Sequence, residues 1–497
     1  MVGVEAVPTM IRTLLAMMIF LLAWGTAWSE DLTPEQKTIQ ELGLPPMVMP
    51  SGTVLTLEEA FSRAWESHPA LASKRAIVGQ NVAKLAQVYA LYLPTVGIAT
   101  QQIFQFNSLE ALLPREGTTY VGIQQTLFDF GQRNAQARAA TESLLSSRID
   151  LQSAWVDQVE TIREAYYKVL LTSMLLVVAQ DDLVRNQQSL KYAEGLLKAG
   201  TKSMIDVTQA KFQVTQAQGS LASAQNNMLD AQISLAQAIG IEATEVQQRA
   251  LVDELLEIPH LVAIEQAESQ MDTSHPDLLS LEAQRRSALA TRRYNALLNM
   301  PSATGVATYG RFGNYPPPTP STIGVYSVTL TLSFPFYTPT VVPLMQQFEA
   351  LAEQLRKDRE NRRLQLAQAL RTAYADVAGA EQRVVVAIDE NKVAVENYRL
   401  ASRRYETGLG PFTDLVNARG FLLTARRDIS NALYDRKVAE AKALQAMGSA
   451  APLPGETAPE TLPGTTPVPT PSPAPTPSPS PSPTPEASPS PVPDDEP

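Results

Sequence analysis

The residues whose type and spacing could do chemistry are few, and they come in pairs. Asp206 follows Gly200 by six residues, and Asp414 follows Gly408 by the same interval, 208 residues further along. His68, between Ser67 and Pro69, returns as His275 between Ser274 and Pro276. An acid in the first turn of a helix complements the free amides and the helix dipole. The same carboxylate, turned towards an aqueous axis, attracts cations. Both readings of Asp206 and Asp414 stay open on the residues alone. Ser203-Met204-Ile205-Asp206 scans as a helix cap, and Gly410-Pro411 is a natural helix start with Asp414 in its first turn.

None of these pairs builds an active site. The three histidines, His68, His260 and His275, are scattered, and the repeated two stand beside prolines at helix starts, where a capping or interface role is expected. There is no cysteine, which excludes disulfides, thiolate zinc sites, iron–sulfur clusters and a lipid-modified N-terminal cysteine. No phosphate loop, zinc-ligand spacing or nucleophile elbow is present. An enzyme is not expected, and neither is a cofactor or a metal.

The pairs belong to a duplication. Pro94 returns as Pro301, and Phe128-Asp129-Phe130 returns as Phe334-Pro335-Phe336. A spacing of about 207 residues far exceeds the roughly 20–50 residues of solenoid repeats. A domain-sized unit is therefore repeated, and the two copies imply pseudo-symmetry about an axis.

The element order follows from the punctuation. Residues 1–29 read as a cleaved secretory signal: Arg12 precedes an apolar run to Trp24, and Ala27-Trp28-Ser29 offers small residues before Glu30. A single membrane anchor is the competing reading, but the run is short for about 30 Å of hydrocarbon. Translation starts at Met1 or Met10. Residues 30–55 form a lead-in, and 56–241 the first repeat, opened by the capping box Thr56-Leu57-Glu58-Glu59. Its helix runs to about Ala90, with a jog at Pro69. Strands are expected at 95–106 and 118–128, joined by a loop with Pro114 and Gly117. Proline-free helix follows from Gly131 to Ala199 and again from Ser203 to Ala238. Residues 242–270 connect the copies, and 271–448 repeat the order. Helix is expected from Asp277 to Leu298, with strands near 303–312 and 323–336. Helices from Leu344 to Thr407 and on to Met447 complete it. Helices of this length are stable when neighbours bury their apolar stripe.

The strand at 325–336 is the clearest β signal. Tyr326, Val328, Leu330, Leu332, Phe334 and Phe336 alternate with Ser327, Thr329, Thr331 and Ser333. In a membrane barrel such an apolar face meets lipid and the hydroxylic face lines water. In the first copy Val121 and Ile123 are apolar in a phase shifted by one residue against the Phe128/Phe334 match, a shift that a bulge would absorb. Residues 449–497 hold 18 of the chain's 37 prolines, alternating with Ser, Thr and Ala. They favour extended polyproline II and read as a disordered spacer or as a docking segment. The tail also carries six of the eleven net negative charges, so the body is close to neutral and gives no reason to expect nucleic-acid binding.

Helix, two strands and a long helical hairpin, repeated behind a signal segment, resemble the TolC-type outer-membrane efflux proteins. The resemblance covers roughly residues 55–448. It rests on Leu93-Pro94 and Met300-Pro301, on Leu127-Phe128-Asp129 and Ser333-Phe334-Pro335, and on the Gly200/Asp206 and Gly408/Asp414 turns. It implies a fold that is mostly α with membrane β. Each chain supplies four strands and long helices, and three chains assemble into a 12-stranded barrel above a periplasmic α-helical barrel. The implied function is an outer-membrane exit channel for efflux or type I secretion, serving an inner-membrane pump through a periplasmic adaptor, with most of the chain and the tail in the periplasm.

By the same resemblance Asp206, Tyr405, Asp414 and Asn417 fall at gating or selectivity positions. Gly200, Thr201, Gly408 and Leu409 fall in adaptor-contact turns. Two departures stand out: Asn417 replaces a second pore-facing acid, and Gly410 replaces a basic latch residue, a charge that Lys202 is placed to supply. The competing class is a periplasmic coiled-coil scaffold or adaptor without a pore, which would show one helical hairpin rather than two.

Overall fold

The computed structural model describes residues 54–103, 115–252, 255, 261–315 and 323–449, all within the first of the chain's two units, Met1–Ala451. The expected signal segment, the lead-in up to residue 53, Pro114, the prolines at 316–320, His260 and the proline-rich tail lie outside these residues.

Thr56 opens α1 (Leu57–Ser67) by accepting a 3.2 Å bond from the Glu59 amide. The reciprocal half of the capping box does not form, because the Glu59 carboxylate pairs with Arg63 at 3.1 Å and Arg249 at 2.7 Å. His68 is extended, and Pro69 at the first position of α2 (Pro69–Ala90) restarts the helix, since its missing amide is not needed there. The hairpin β2 (Thr95–Ile103) and β3 (Arg115–Phe128) leads into α3 (Gln132–Lys198). At 67 residues α3 is about 100 Å long. A tight turn returns the chain along α4 (Met204–Ile239) and the short α5 (Ala243–Gln247).

The second copy runs α6 (Ile264–Ser274), α7 (Pro276–Ala296), β5 (Ser302–Tyr315), β6 (Ile323–Ser333), α8 (Val341–Glu406) and α9 (Phe412–Ala446). Helix α6 is the mate of α1 and begins inside the stretch read as connector. Its apolar signal is short, Ile264, Ala267 and Met271, the last two buried. The two copies are also tied by a short parallel pair not foreseen from the sequence, β1 (Val54–Leu55) with β4 (Ala250–Leu251).

The long helices change partners along their length. Early in α3, Ser143 and Ser146 meet Ser287 and Ser280 of α7 through hydroxyl contacts of 2.9 and 3.2 Å. Small side chains there let the two helices approach closely. The second half of α3 packs against α4 and α9, and α8 likewise packs against α7 and then α9. Midway, where the partners exchange, α3 is surrounded, and Trp155, Ile162, Tyr166 and Leu170 are fully buried. This explains why the run from Val169 to Ala179 is so apolar without spanning a membrane; no described helix is long and apolar enough to cross one. The Tyr166 hydroxyl accepts from the Val252 amide at 2.9 Å and reaches the Leu55 carbonyl at 3.0 Å, pinning β1 and β4 to α3.

The four long strands form one antiparallel sheet in the order β2-β3-β5-β6. Its register aligns Ile98, Val121, Tyr309 and Tyr326 in one row, and Val96, Ile123, Ala307 and Val328 in the next on the same face. The other face carries Gly97, Gly122, Thr308 and Ser327, then Thr95, Gln124, Val306 and Thr329. The pairing of β3 with β5 shifts between Thr126 and Phe128, which is the bulge expected from the phase mismatch. Beyond it Phe128 shares a row with Ala303 and Leu332 on the apolar face.

Candidate functional site

The two hairpin turns have the same backbone logic. After α3, the Gly200 amide bonds to Leu197 and the Thr201 amide to Leu196, each at 3.0 Å. After α8, the Gly408 amide bonds to Tyr405 and the Leu409 amide to Arg404, each at 2.9 Å. This paired arrangement satisfies the last carbonyls of a helix and requires a left-handed residue at its centre. Gly200 at φ +73° and Gly408 at φ +76° supply it. A side chain in that region costs about 1–2 kcal/mol. Gly408→Ala is therefore expected to lower the thermal midpoint of the helical signal by a few degrees without loss of folding, as read by circular dichroism. An unchanged midpoint would mean the turn carries no strain.

The side chains of the turns differ. Thr201 returns its hydroxyl to the Leu196 carbonyl, whereas Leu409 is 80% exposed, an apolar side chain at the very tip. Lys202 joins the two turns. Its ammonium donates to the Gly410 carbonyl at 2.8 Å and lies 5.7 Å from the centre of the Tyr405 ring. A cation of the first copy thus sits on the backbone of Gly410 in the second.

Tyr405 is fully buried in a small core of Ala193, Val207, Ala210, Phe412 and Leu415, drawn from all four helices at this end. Its ring lies 5.4 Å from that of Phe412. Its hydroxyl finds no hydrogen-bond partner among the described residues. Burial, reinforced by the negative charge of Asp206, pushes its pKa up to about 12. In this conformation Tyr405 holds the tip together from inside and faces no solvent. Asp206 lies half-buried in the first turn of α4, after Ser203, whose side chain makes no capping bond. Asp414 is exposed in the first turn of α9, which Pro411 caps, and Asn417 is exposed beyond it. The structure therefore brings Gly200, Thr201, Lys202, Asp206, Tyr405, Gly408 and Leu409 to one end, with Asp414 and Asn417 outward from it.

The histidine mates diverge. His275 accepts the Asp277 amide at 3.2 Å and caps α7, while His68 makes no such bond to α2. Burial pushes the pKa of both down.

A buried polar network just inside the tip escaped the sequence reading. Arg419 on α9 reaches Asn186 on α3 and Gln213 on α4, with Asp182 at 3.4 Å. Arg426, one heptad on, pairs with Asp181, which Arg185 also holds at 2.6 Å. Burial pushes the Asp182 carboxyl up, against the opposing pull of Arg419 and Arg427. The signal was present in the pattern. Leu415, Arg419, Leu422, Arg426, Ile429 and Leu433 are all buried and spaced four and three residues apart, the interval of a coiled-coil seam. Two arginines at seam positions require buried acceptors.

At the other end, the two faces of the sheet differ in exposure. Thr118, Tyr120, Gly122, Thr308 and Gly310 on the hydroxylic face are half-buried, while Val121, Ile123, Ala307 and Tyr309 on the apolar face are exposed. Thr308 and Ser327 hydroxyls meet at 2.7 Å on the hydroxylic face. Val328 is 84% and Leu332 75% exposed on the apolar face. Aromatic side chains bracket this band. Tyr309 and Tyr326 lie at one end, and the edge-to-face pairs Phe128–Phe130 and Phe334–Phe336 at the other. From Tyr326 to Phe334 is about 27 Å of extended chain.

The model of the outer membrane efflux protein family matches residues 60–241 and 268–449, one match for each copy. No curated protein matches the chain in sequence. Several solved structures share the fold. A membrane protein from Pseudomonas aeruginosa superposes with a TM-score of 0.70 at 16% identity, over 80% of this chain and 92% of that one. The outer membrane protein VceC from Vibrio cholerae gives 0.67 at 16%, over 79% and 96%. The open state of the Neisseria gonorrhoeae MtrE outer membrane channel gives 0.65 at 16%, over 79% and 88%.

Proposed function

The chain belongs to the outer membrane efflux protein family, and from that premise we propose that it is the protomer of a trimeric exit channel. The observation that carries the reading is the sheet: one face apolar and exposed, the other hydroxylic and half-buried on the central strands β3 and β5, with the outer edges of β2 and β6 unpaired among the described residues. Exposed edges and an uncovered apolar face are untenable in water. Three copies make a closed barrel of twelve strands, bury every edge and turn the apolar band to lipid. The aromatic pairs then form the two interfacial girdles. The helices continue beneath as a periplasmic barrel whose hairpin turns are its far end.

At that end the channel is gated. Threefold symmetry turns Asp206 and Asp414 into rings of carboxylates that favour cations, with Asn417 one turn beyond. Lys202 bridging to Gly410 over the Tyr405 ring holds the two hairpins of one chain together in the closed tip. The exposed turns at Gly200, Thr201, Gly408 and Leu409 meet a periplasmic adaptor that recruits an inner-membrane pump, and Leu409 is the natural apolar contact. Residues 1–29 direct export, and residues 449–497 form a spacer on the periplasmic side.

Two measurements test the reading. Protein extracted from the outer-membrane fraction is expected to run as a heat-modifiable trimer; a soluble monomer would overturn the assembly. Asp414→Ala is expected to reduce cation selectivity and block by multivalent cations in a planar bilayer. If both were unchanged, the carboxylate ring would have no part in selectivity.

A further inference from the structure

The duplication lets a packed seam of this chain serve as the template for an unpacked one. From Gly200 through Gly240, each position has its mate 208 residues later, up to Gly448, and the proline-free helices before the turns keep the same offset. Within the chain, α9 lies against α3 and its Arg419 enters the groove between α3 and α4, on Asp182, Asn186 and Gln213. Arg426 follows on Asp181.

The mates of that groove wall are Asp389, Glu390, Ala394 and Phe421. With Val386 and Val393 they line a groove of about 590 Å³ between α8 and α9 that no element of the described chain fills. Three of its ten lining residues, Asp389, Glu390 and Asp428, are acids. Val386, Val393 and Phe421 are 56%, 72% and 62% exposed, far too open for a helix seam of this composition. The mate of Arg419 is Lys211, on the exposed side of α4, where among the described residues it has no ion pair. Beside it Phe212 is 66% exposed. The chain therefore carries an acidic, apolar groove on its α8 side and a basic, apolar ridge on its α4 side, at matching heights.

We propose that α4 of a second copy of this chain fills the α8–α9 groove in the register that α9 keeps on α3 and α4. Lys211 of one copy then stands beside Asp389 and Glu390 of the next, and Phe212 covers part of the exposed apolar wall. Because groove and ridge lie on opposite sides of one chain, the contact is head-to-tail and closes into a ring. The proposal deepens the trimer reading above and rests on it.

The absence of cysteine makes the test direct. The full-length double variant Lys211→Cys/Glu390→Cys, treated in the membrane with a short bismaleimide, is expected to give covalent dimers and trimers on a denaturing gel. Lys211→Cys paired with Asp358→Cys, far up α8, is expected to give none. Light scattering on the untreated protein separates the two levels of failure. A trimer that does not crosslink at 211 and 390 overturns this seam alone, whereas a monomer overturns the assembly on which it rests. In a second measurement, Lys211→Glu is expected to lower the temperature at which the trimer dissociates, and Lys211→Glu with Glu390→Lys to recover most of that loss. A double variant weaker than Lys211→Glu alone would contradict the pairing.

Discussion

Leu330→Arg is expected to abolish trimers in the outer membrane, while Thr329→Arg, its neighbour in the same strand, is expected to leave them intact. Leu330 sits near the middle of the apolar band, 62% exposed, and its row partner Gly305 gives it no cover. An arginine facing lipid at the midplane of a barrel costs about 2–4 kcal/mol. A threefold assembly carries that penalty three times, which is comparable with the whole stability of an ordinary domain, about 5–15 kcal/mol. Thr329 lies on the opposite, hydroxylic face, in the row of Thr95, Gln124 and Val306. A charge there meets water in the lumen and changes conductance rather than assembly. The measurement is the fraction of heat-modifiable trimer in the outer-membrane fraction for the two variants. Equal loss in both would mean the sheet faces are not lipid and lumen.

Arg419→Ala is expected to destabilise the helical body by about 3–5 kcal/mol, the usual consequence of removing one partner of a buried ion pair. It leaves Asp182 beside Asn186 with only the weaker pull of Arg427. The pH dependence carries a definite sign. Burial already holds the Asp182 carboxyl above the usual carboxylate range, and the loss of Arg419 raises it further. The folded chain then holds that proton more tightly than the unfolded chain, so stability falls as pH rises through the folded value. The deficit of Arg419→Ala relative to the wild type is expected to be largest near pH 8 and to shrink towards pH 5, as read by thermal unfolding of the helical signal in detergent. A deficit independent of pH would mean Asp182 is not the stranded partner. Asp182→Leu/Arg419→Leu, which removes both charges, is expected to lie much closer to the wild type than Arg419→Ala.

What was legible in the sequence was legible because it was punctuated. Prolines and glycines at matching intervals placed most of the principal elements within a few residues, since Pro69, Pro94, Pro276 and Pro301 stop or restart helices by local chemistry alone. The one-residue phase shift between Val121 and Phe128 implied a bulge, and the ladder shift at Thr126 to Phe128 is that bulge. Features set by distant contacts were not legible. Helix α6 offers only Ile264, Ala267 and Met271 as an apolar stripe, and β1 with β4 are two residues each, held by Tyr166 from a helix more than a hundred residues away from Leu55. At the tip, Asp206 and Tyr405 were singled out together, but nothing local distinguishes a tyrosine that faces a lumen from one sealed among Val207, Phe412 and Leu415. The arginine seam was the avoidable omission, because the four-and-three spacing of Leu415 to Leu433 marks it.

The central claim is that copies of this chain form a continuous water-filled duct across the outer membrane. Single-channel recording of the purified wild-type protein in a planar bilayer tests it most directly. Discrete, cation-preferring conductance steps, raised when Lys202→Met removes the bridge to Gly410, are the expected result. A correctly inserted trimer that passes no current with or without Lys202 would contradict the account.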